Sequence, residues 1–263
     1  MRIFLYSIFI ITFFCCLLLN CQLFRSELPD PGVVISWDVE GYDKLEEFYN
    51  IRDEIQTLNV PFTFYIRSPA LLTDEQANMC KELQQYGHEI GYHTRFHTDA
   101  ITYILIDEHS MEEYINFEII PGLEDYENHG IIIKNFAYPL AHHYTDLDNY
   151  LLEHFFDSLR SVSPFVDWCY YKGNDNRVIA AYWIDSLEMV SEESLLKNVY
   201  GALRKAKRRN FILNLYGHNI NVDGHINNGT DYETSLSRLQ KIINYARELE
   251  LKFFRMEDLF SNQ

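Results

Sequence analysis

The residues best suited to chemistry in this sequence are histidines and carboxylates at short spacings. His93 and His97 are four residues apart, a spacing that brings two imidazoles to one metal ion when the segment forms a helical turn. Asp38 and Glu40 are two residues apart, so both face the same side of an extended chain. Two histidines and one carboxylate leave coordination positions open for water and substrate, as a catalytic zinc site requires. This donor set suits a hydrolase that uses a divalent metal ion, with Zn2+ the expected ion.

Such a hydrolase also needs a base and an acid. A second carboxylate beside the ion can remove the proton of the attacking water, and a further histidine can protonate the leaving amine. Taken singly, each pattern also has a structural explanation. Ten histidines give a four-residue spacing by chance, and Asp38 and Glu40 suit the start of a helix. Their positions relative to the predicted strands therefore decide between chemistry and structure.

The elements that must position these residues alternate between strands and helices. Apolar patterns predict strands over residues 33–37, 62–66, 89–91, 132–138, 159–162, 178–184, 211–216 and 252–254. They predict helices over residues 42–58, 73–86, 111–127, 146–156, 191–207 and 236–249. This alternation favours an α/β fold, a closed or nearly closed (β/α)7–8 barrel formed by a single domain over residues 32–260. Chemistry in such barrels lies at the carboxyl ends of the strands.

The candidate residues all satisfy this positional requirement. They follow or close successive predicted strands at the carboxyl end: Asp38, Glu40, His93, His97, Tyr138, Pro139 and His218. Because the carboxyl ends of parallel strands meet at one rim of a barrel, we expect these side chains to converge. The convergence favours the chemical interpretation over the structural one.

In this setting the chain resembles the polysaccharide deacetylases of carbohydrate esterase family 4, from about Gly32 to Leu259. The family's second motif, His-Ser/Thr-x-x-His, is intact from His93 to His97 and follows a typical Gly-His-Glu-Ile-Gly stretch. Its first motif, Thr-Phe-Asp-Asp, reads Ser-Trp-Asp-Val-Glu at residues 36–40. Its third motif, Arg-x-Pro-Tyr, is present only in part at residues 136–140, and its last, a leucine-rich strand that ends in histidine, matches residues 213–218.

The resemblance implies a distorted barrel that binds zinc or a similar ion and removes N-acetyl groups from amino-sugar polymers. Carried over to this sequence, His93 and His97 are metal ligands, Asp38 is the general base and His218 is the general acid. The Tyr138–Pro139 pair, which remains of the third motif, is expected to contact the substrate. That substrate would be an N-acetylated glycan such as peptidoglycan or a surface polysaccharide.

Two departures from the family pattern bear on this prediction. Val39 stands where the family has its ligand aspartate and cannot bind an ion, so Glu40 is predicted as the third ligand. The third-motif arginine that orients the base is replaced by Ala137 or Tyr138, which should leave Asp38 less well positioned. These departures motivate an alternative, a catalytically impaired glycan-binding lipoprotein on the same barrel. A further alternative keeps hydrolysis but takes a small amide or an O-acetyl ester as substrate.

The first twenty residues predict an export signal. Arg2 precedes an almost unbroken apolar run from Ile3 to Leu19, the pattern of a secretory signal peptide over residues 1–20. Cys21 stands where a bacterial lipoprotein carries its lipidated cysteine, although Asn20 replaces the usual small residue before it. We therefore predict an exported lipoprotein, anchored to the membrane through Cys21 and facing the periplasm or the cell surface. A cleaved soluble form and an uncleaved anchor are the alternatives.

Charge and cysteine content bear on other classes of protein. The 263-residue chain carries a net charge of −17, and removal of the signal with its single cation brings the net charge to about −18. Nucleic-acid binding is not expected, because phosphates require clustered Lys and Arg, and the basic cluster at residues 204–209 suits the solvated face of a helix. Beyond the signal region Cys80 and Cys169 remain, too few for a disulfide framework, and they are either paired or free.

Overall fold

The structure, a computed structural model, describes residues 30–186, 190–222 and 232–260. The predicted signal peptide and Cys21 lie outside the described residues. Within those ranges no helix is long and apolar enough to cross a membrane.

The described strands close into a barrel. In chain order they are β1 Gly32–Val39, β2 Thr63–Ile66, β3 Glu89–Tyr92, β4 Asn135–Ala137, β5 Ser158–Val162, β6 Tyr170–Tyr171, β7 Val178–Trp183, β8 Ile212–Gly217, β9 Ile220–Asn221, β10 Thr234–Ser235 and β11 Lys252–Phe254. Strands β1-β2-β3-β4-β5-β7-β8 are parallel neighbours in that order, and β8 pairs again with β1. Strand β11 adds to β1 in parallel, whereas β6 pairs with β8 in antiparallel fashion. The predicted barrel is thus confirmed.

The helices pack around this barrel. They are α1 Tyr42–Asn50, α2 Arg52–Thr57, α3 Asp74–Gln85, α4 Met111–Tyr114, α5 Ile120–Asn128, α6 Thr145–His154, α7 Glu192–Arg209 and α8 Leu236–Glu248. Helix α7 illustrates how the sequence determines its ends. The Ser191 side chain caps its first turn by accepting from the Ser194 amide, and Asn210 ends it in a left-handed conformation. Leu195, Val199 and Leu203 recur every four residues on its buried face.

Strand β1 separates two environments by the alternation of its side chains. Its odd-numbered residues from Val33 to Val39 lie in the main hydrophobic core. Ser36 and Asp38 alternate with that set and therefore point to the interior of the barrel. Val39 belongs to the odd-numbered set in the hydrophobic core, so its side chain is directed away from the side on which Asp38 lies.

Three predicted elements differ from the observed ones by more than two residues at an end or by an interruption. The helix predicted over residues 42–58 is broken at Ile51 into α1 and α2. Of the strand predicted over residues 132–138, only the part that forms β4 is observed as a strand. The helix predicted over residues 111–127 contains a π-helical segment, Ile115–Ile119, between α4 and α5. Pro121 has no N–H for the Phe117 carbonyl four residues earlier, which explains the irregular turn there. Cys80 and Cys169 are both buried free thiols, so the disulfide alternative is wrong.

Candidate active site

A cavity of about 460 Å3 opens at the carboxyl ends of the barrel strands. It is lined by Asp38, Glu40, His93, His97, Tyr138, Leu140, Ala141, Val162, Tyr216, His218 and Tyr232. Six of the seven residues singled out from the sequence are among them. The seventh, Pro139, is buried at the start of a 3-10 turn and does not line the cavity.

Glu40, His93 and His97 bring three ligand atoms to one point. The Glu40 Oε1 atom lies 3.1 Å from His97 Nε2 and 3.6 Å from His93 Nε2, and all three ligand atoms lie within 4.8 Å of one another. Ligands of a tetrahedral zinc ion at about 2.1 Å are about 3.4 Å apart, so these separations fit one ion. The predicted triad therefore has the donor types and the spacing of a divalent metal site.

The tautomer of the neutral His93 ring also suits a ligand. Its Nδ1 lies 2.9 Å from the Ala137 carbonyl oxygen, which can only accept, so the Nδ1–H donates and Nε2 carries the lone pair. That Nε2 is buried and has no hydrogen-bond partner among the described residues. Burial raises the pKa of Glu40, but the adjacent imidazoles of His93 and His97 outweigh it and hold that pKa well below its usual value. A lone pair thus faces a carboxylate, an arrangement that a cation would stabilise.

The segment that carries the two histidines is not helical, which corrects the sequence-based reason for their convergence. Thr94 and His97 both have a φ of 62°, in the left-handed region. The imidazole rings of His93 and His97 nevertheless have their centroids 5.0 Å apart. A sharply turned loop, rather than one helical turn, brings them together.

The prediction that Asp38 lacks an orienting cation is wrong. Arg160, in the middle of β5, is completely buried and forms a hydrogen-bonded ion pair with Asp38 Oδ1. Its guanidinium also lies over the rings of Tyr65 and Tyr216, at 5.2 and 5.0 Å from their centroids. Burial raises the pKa of Asp38, but the charge of Arg160 outweighs it and lowers that pKa. Asp38 is therefore held as a carboxylate at the cavity wall.

His218 is oriented by a carboxylate that the sequence analysis missed. Its Nδ1 lies 2.8 Å from Oδ2 of Asp185, which is 1% exposed and also accepts from the Thr234 hydroxyl at 2.8 Å. Burial lowers the pKa of His218, but the hydrogen bond to Asp185 and the nearby charge of Asp38 outweigh it and raise that pKa. Gly217 makes this arrangement possible, since a Cβ there would lie 2.8 Å from Asp185 Oδ1. His218 is thus biased towards the protonated form.

Tyr138 lines the cavity with its ring, while its hydroxyl is engaged elsewhere. The hydroxyl donates to Asp148 Oδ1 at 2.7 Å, and the other oxygen of Asp148 lies 2.8 Å from His143 Nδ1. Tyr138 is 1% exposed. Its contribution to the cavity is therefore an apolar wall, and its contact with substrate stays a prediction.

The sequence contains a feature that could have identified each of the two residues that the sequence analysis missed, Arg160 and Asp185. Arg160 interrupts a short run that is otherwise suited to a buried strand, and a buried arginine requires a partner. Asp185 comes two residues after the end of β7, and directly after the strand predicted over residues 178–184, at the same rim as the other site residues. The positional requirement used for Asp38 and His218 would have identified Asp185 as well.

Solved structures share this fold, whereas no family model and no curated protein sequence matches the chain. A peptidoglycan N-acetylglucosamine deacetylase, Bc1960, superimposes with a TM-score of 0.55 at 17% identity, over 88% of this chain and 89% of that one. A family 4 acetyl xylan esterase from Clostridium thermocellum, solved with a cobalt ion, gives 0.52 at 15% identity, over 88% and 90%. A family 4 pseudoenzyme from Bacillus anthracis gives 0.51 at 13% identity, over 88% and 66%.

These likenesses define the class of fold to which the chain belongs. The chain has the (β/α) barrel fold of the carbohydrate esterase family 4 polysaccharide deacetylases. The resemblance recognised from the motifs is thereby confirmed at the level of the fold, and the low identities agree with a divergent sequence.

Proposed function

We propose that this chain is a metal-dependent hydrolase that removes N-acetyl groups from an amino-sugar polymer outside the cytoplasm. The observation that carries the proposal is the convergence of Glu40, His93 and His97 in a cavity that Asp38 and His218 also line. The donor set of one carboxylate and two imidazoles is that of catalytic zinc sites, which leave positions for water and substrate.

The reaction would be hydrolysis of the acetamide carbon–nitrogen bond. A divalent ion such as Zn2+, when bound by Glu40, His93 and His97, supplies a Lewis acid that polarises the carbonyl and acidifies water. Asp38 accepts the proton of the attacking water, and the Arg160 ion pair keeps its carboxylate ionised and oriented. His218 donates its Nε2 proton to the nitrogen as the bond breaks, which releases acetate and the free amine.

Glu40 would take the place of the family's ligand aspartate, whose position in this chain is occupied by Val39. The side chain of Val39 lies in the hydrophobic core, while Glu40 lies on the cavity side with its longer side chain directed to the histidines. Arg160 likewise supplies the cation that the third motif lacks. Both departures that motivated a catalytically impaired glycan-binding protein therefore have a compensating residue, which favours the active hydrolase.

The test is to measure bound metal and acetate release from N-acetylglucosamine oligomers for the wild type and for His93→Ala. We expect stoichiometric metal and release of acetate for the wild type, and loss of both for His93→Ala. Equal activity of the metal-free wild type would refute the proposal. Tight oligosaccharide binding without turnover, in the presence of metal, would instead support the glycan-binding alternative, and turnover only of small amides or O-acetyl esters would change the substrate.

We also propose that the chain is exported and anchored through lipidated Cys21. The support is the apolar run that precedes Cys21 in the sequence. Mass spectrometry of the mature protein should find Cys21 as a lipid-modified N-terminal residue. An unmodified N-terminus beyond residue 20 would point to the soluble exported form.

A further inference from the structure

The loop between His93 and His97 holds a conformation that needs support. Thr94 and His97 are both left-handed, with a φ of 62°. Such a conformation is unfavourable for a residue with a Cβ atom, and β-branched residues such as threonine rarely adopt it. Other contacts must therefore stabilise the turn that brings the two imidazoles together.

Glu118 provides the main support from outside the loop. Its Oε2 atom accepts hydrogen bonds from the backbone N–H groups of Arg95 and Phe96, at 2.7 and 2.8 Å. The side chain is completely buried. One carboxylate oxygen thus holds both amides at the centre of the turn, and the Thr94 hydroxyl accepts from the next amide, that of His97, at 3.1 Å.

The backbone around Glu118 is also fixed to the strand that leads into the loop. The Tyr92 hydroxyl donates to the Glu118 carbonyl at 2.7 Å. Gly122 allows this approach, because a Cβ there would lie 2.0 Å from the Tyr92 hydroxyl oxygen. Glu118 lies in the π-helical segment Ile115–Ile119, and such segments expose backbone carbonyls to new partners and occur often at functional sites. His93 is therefore held from both sides, through Tyr92 and through the Arg95–Phe96 amides.

The environment of the second carboxylate oxygen of Glu118 indicates that a contribution to stability alone does not explain why a glutamate occupies this position. Glu118 Oε1 is buried and has no hydrogen-bond partner among the residues that the structure describes. A buried polar atom without a partner costs free energy that a smaller neutral side chain would avoid. This cost in stability is explained if the carboxylate has a functional role at the neighbouring metal site.

We infer that Glu118 is a positioning residue for the metal site, because its carboxylate fixes the loop that sets the distance between His93 and His97. This inference rests on the proposed function. Glu118 is not one of the three candidate ligands, and among the described residues its carboxylate accepts hydrogen bonds only from the loop amides of Arg95 and Phe96. Its loss should therefore weaken metal binding without removing any ligand, as loss of groups that orient ligands usually does.

The test compares Glu118→Met, which keeps the volume but removes the acceptor, with Glu118→Gln, whose carbonyl oxygen can still accept from both amides. We expect Glu118→Met to lower the Zn2+ affinity, measured by competition with a chelator, about 10- to 100-fold. Glu118→Gln should stay close to the wild type. In the metal-free full-length protein, the Arg95 and Phe96 amides should exchange hydrogen faster in Glu118→Met, while the amides of β3 stay protected.

A matched control is Asp125→Asn. Asp125 is a buried carboxylate in α5, just beyond the π-helical segment, and it accepts a hydrogen bond from the backbone N–H of Leu72, in a different loop, at 2.7 Å. This substitution should leave Zn2+ affinity unchanged. Wild-type affinity and exchange in Glu118→Met, or an equal loss in Glu118→Gln, would overturn the inference. A wild type that binds no metal would refute the proposed function, and the exchange measurement would still decide whether Glu118 holds the loop.

Discussion

The two ends of the barrel each hold buried polar side chains, but the two sets are arranged in opposite ways. At the amino ends of the strands, the first residues of β2, β3, β4 and β5 are Thr63, Glu89, Asn135 and Ser158. They hydrogen-bond to one another, and the Glu257 amide closes the set by donating to Glu89 Oε2 at 3.0 Å. At the carboxyl ends, Asp38 and its neighbours line an open cavity instead.

The difference is clearest in the two carboxylates. Burial raises the pKa of Glu89 to about 7, because the neutral donors around it offset only part of the desolvation. Burial also acts to raise the pKa of Asp38, but the Arg160 ion pair reverses the shift and lowers it. A closed set of polar groups therefore serves stability, whereas a carboxylate held ionised beside a cavity is available as a base.

The largest expected effect is that of removing the cation at the cavity end. Arg160→Met should lower the free energy of unfolding by about 3–5 kcal/mol, because it leaves Asp38 buried without its partner. Acetate release should fall by about 100-fold or more, since the base is no longer oriented. Urea unfolding and acetate release measure the two effects.

A double variant separates the effect of Arg160→Met on stability from its effect on activity. Asp38→Asn in the Arg160→Met background removes the unpaired charge, so stability should recover in part while activity stays low. If Arg160→Met alone were as stable and as active as the wild type, Arg160 would not be the cation that serves Asp38.

The next effect concerns the closed end. The pKa of Glu89 in the folded state, about 7, exceeds its unfolded value of 4.5, so the folded state binds more protons between these values. Its contribution to stability is fully present below pH 4.5 and is lost as pH rises to about 7, a change of about 3 kcal/mol. Glu89→Gln should abolish this loss. Urea unfolding of both proteins from pH 5 to pH 8 measures the slope.

His88 makes the comparison with Glu89→Gln necessary, since it acts in the opposite direction. Burial lowers the pKa of His88 to about 4 from 6.5, so its contribution is lost as pH falls through that range. Only the difference between wild type and Glu89→Gln isolates Glu89. The exposed Glu54→Gln on α2 serves as a control and should keep the wild-type slope. Parallel slopes for wild type and Glu89→Gln would contradict a neutral Glu89 at low pH.

The sequence predicted the cavity end well where its residues are close in the chain. Alternation along β1 correctly placed Asp38 and Glu40 on one side, and strand ends correctly predicted where His93 and His218 converge. The partners of these residues were missed, because Arg160 lies 122 positions from Asp38 and meets it only when the barrel closes. Spacing along the chain contains no information about such a contact.

The shape of the metal loop was not predictable for a different reason. A four-residue spacing indicates a helical turn only when no other contact competes with it. Here Glu118 and the Thr94 hydroxyl take the loop amides, so the left-handed residues Thr94 and His97 replace the helix. The convergence of the histidines was predicted correctly, but the backbone conformation behind it was wrong.

The smallest of the three effects concerns the acid at the cavity end. Asp185→Asn removes the charge that raises the pKa of His218, so that pKa should fall. Because a general acid must be protonated, the rate falls as pH rises through this pKa, and the variant should lose activity at a lower pH than the wild type. At neutral pH we expect about a tenfold lower rate of acetate release, equivalent to about 1.4 kcal/mol. An unchanged alkaline limit in the pH profile of kcat would mean that His218 is not the acid, since Asp185 contacts His218 directly and lies within hydrogen-bond distance of its Nδ1.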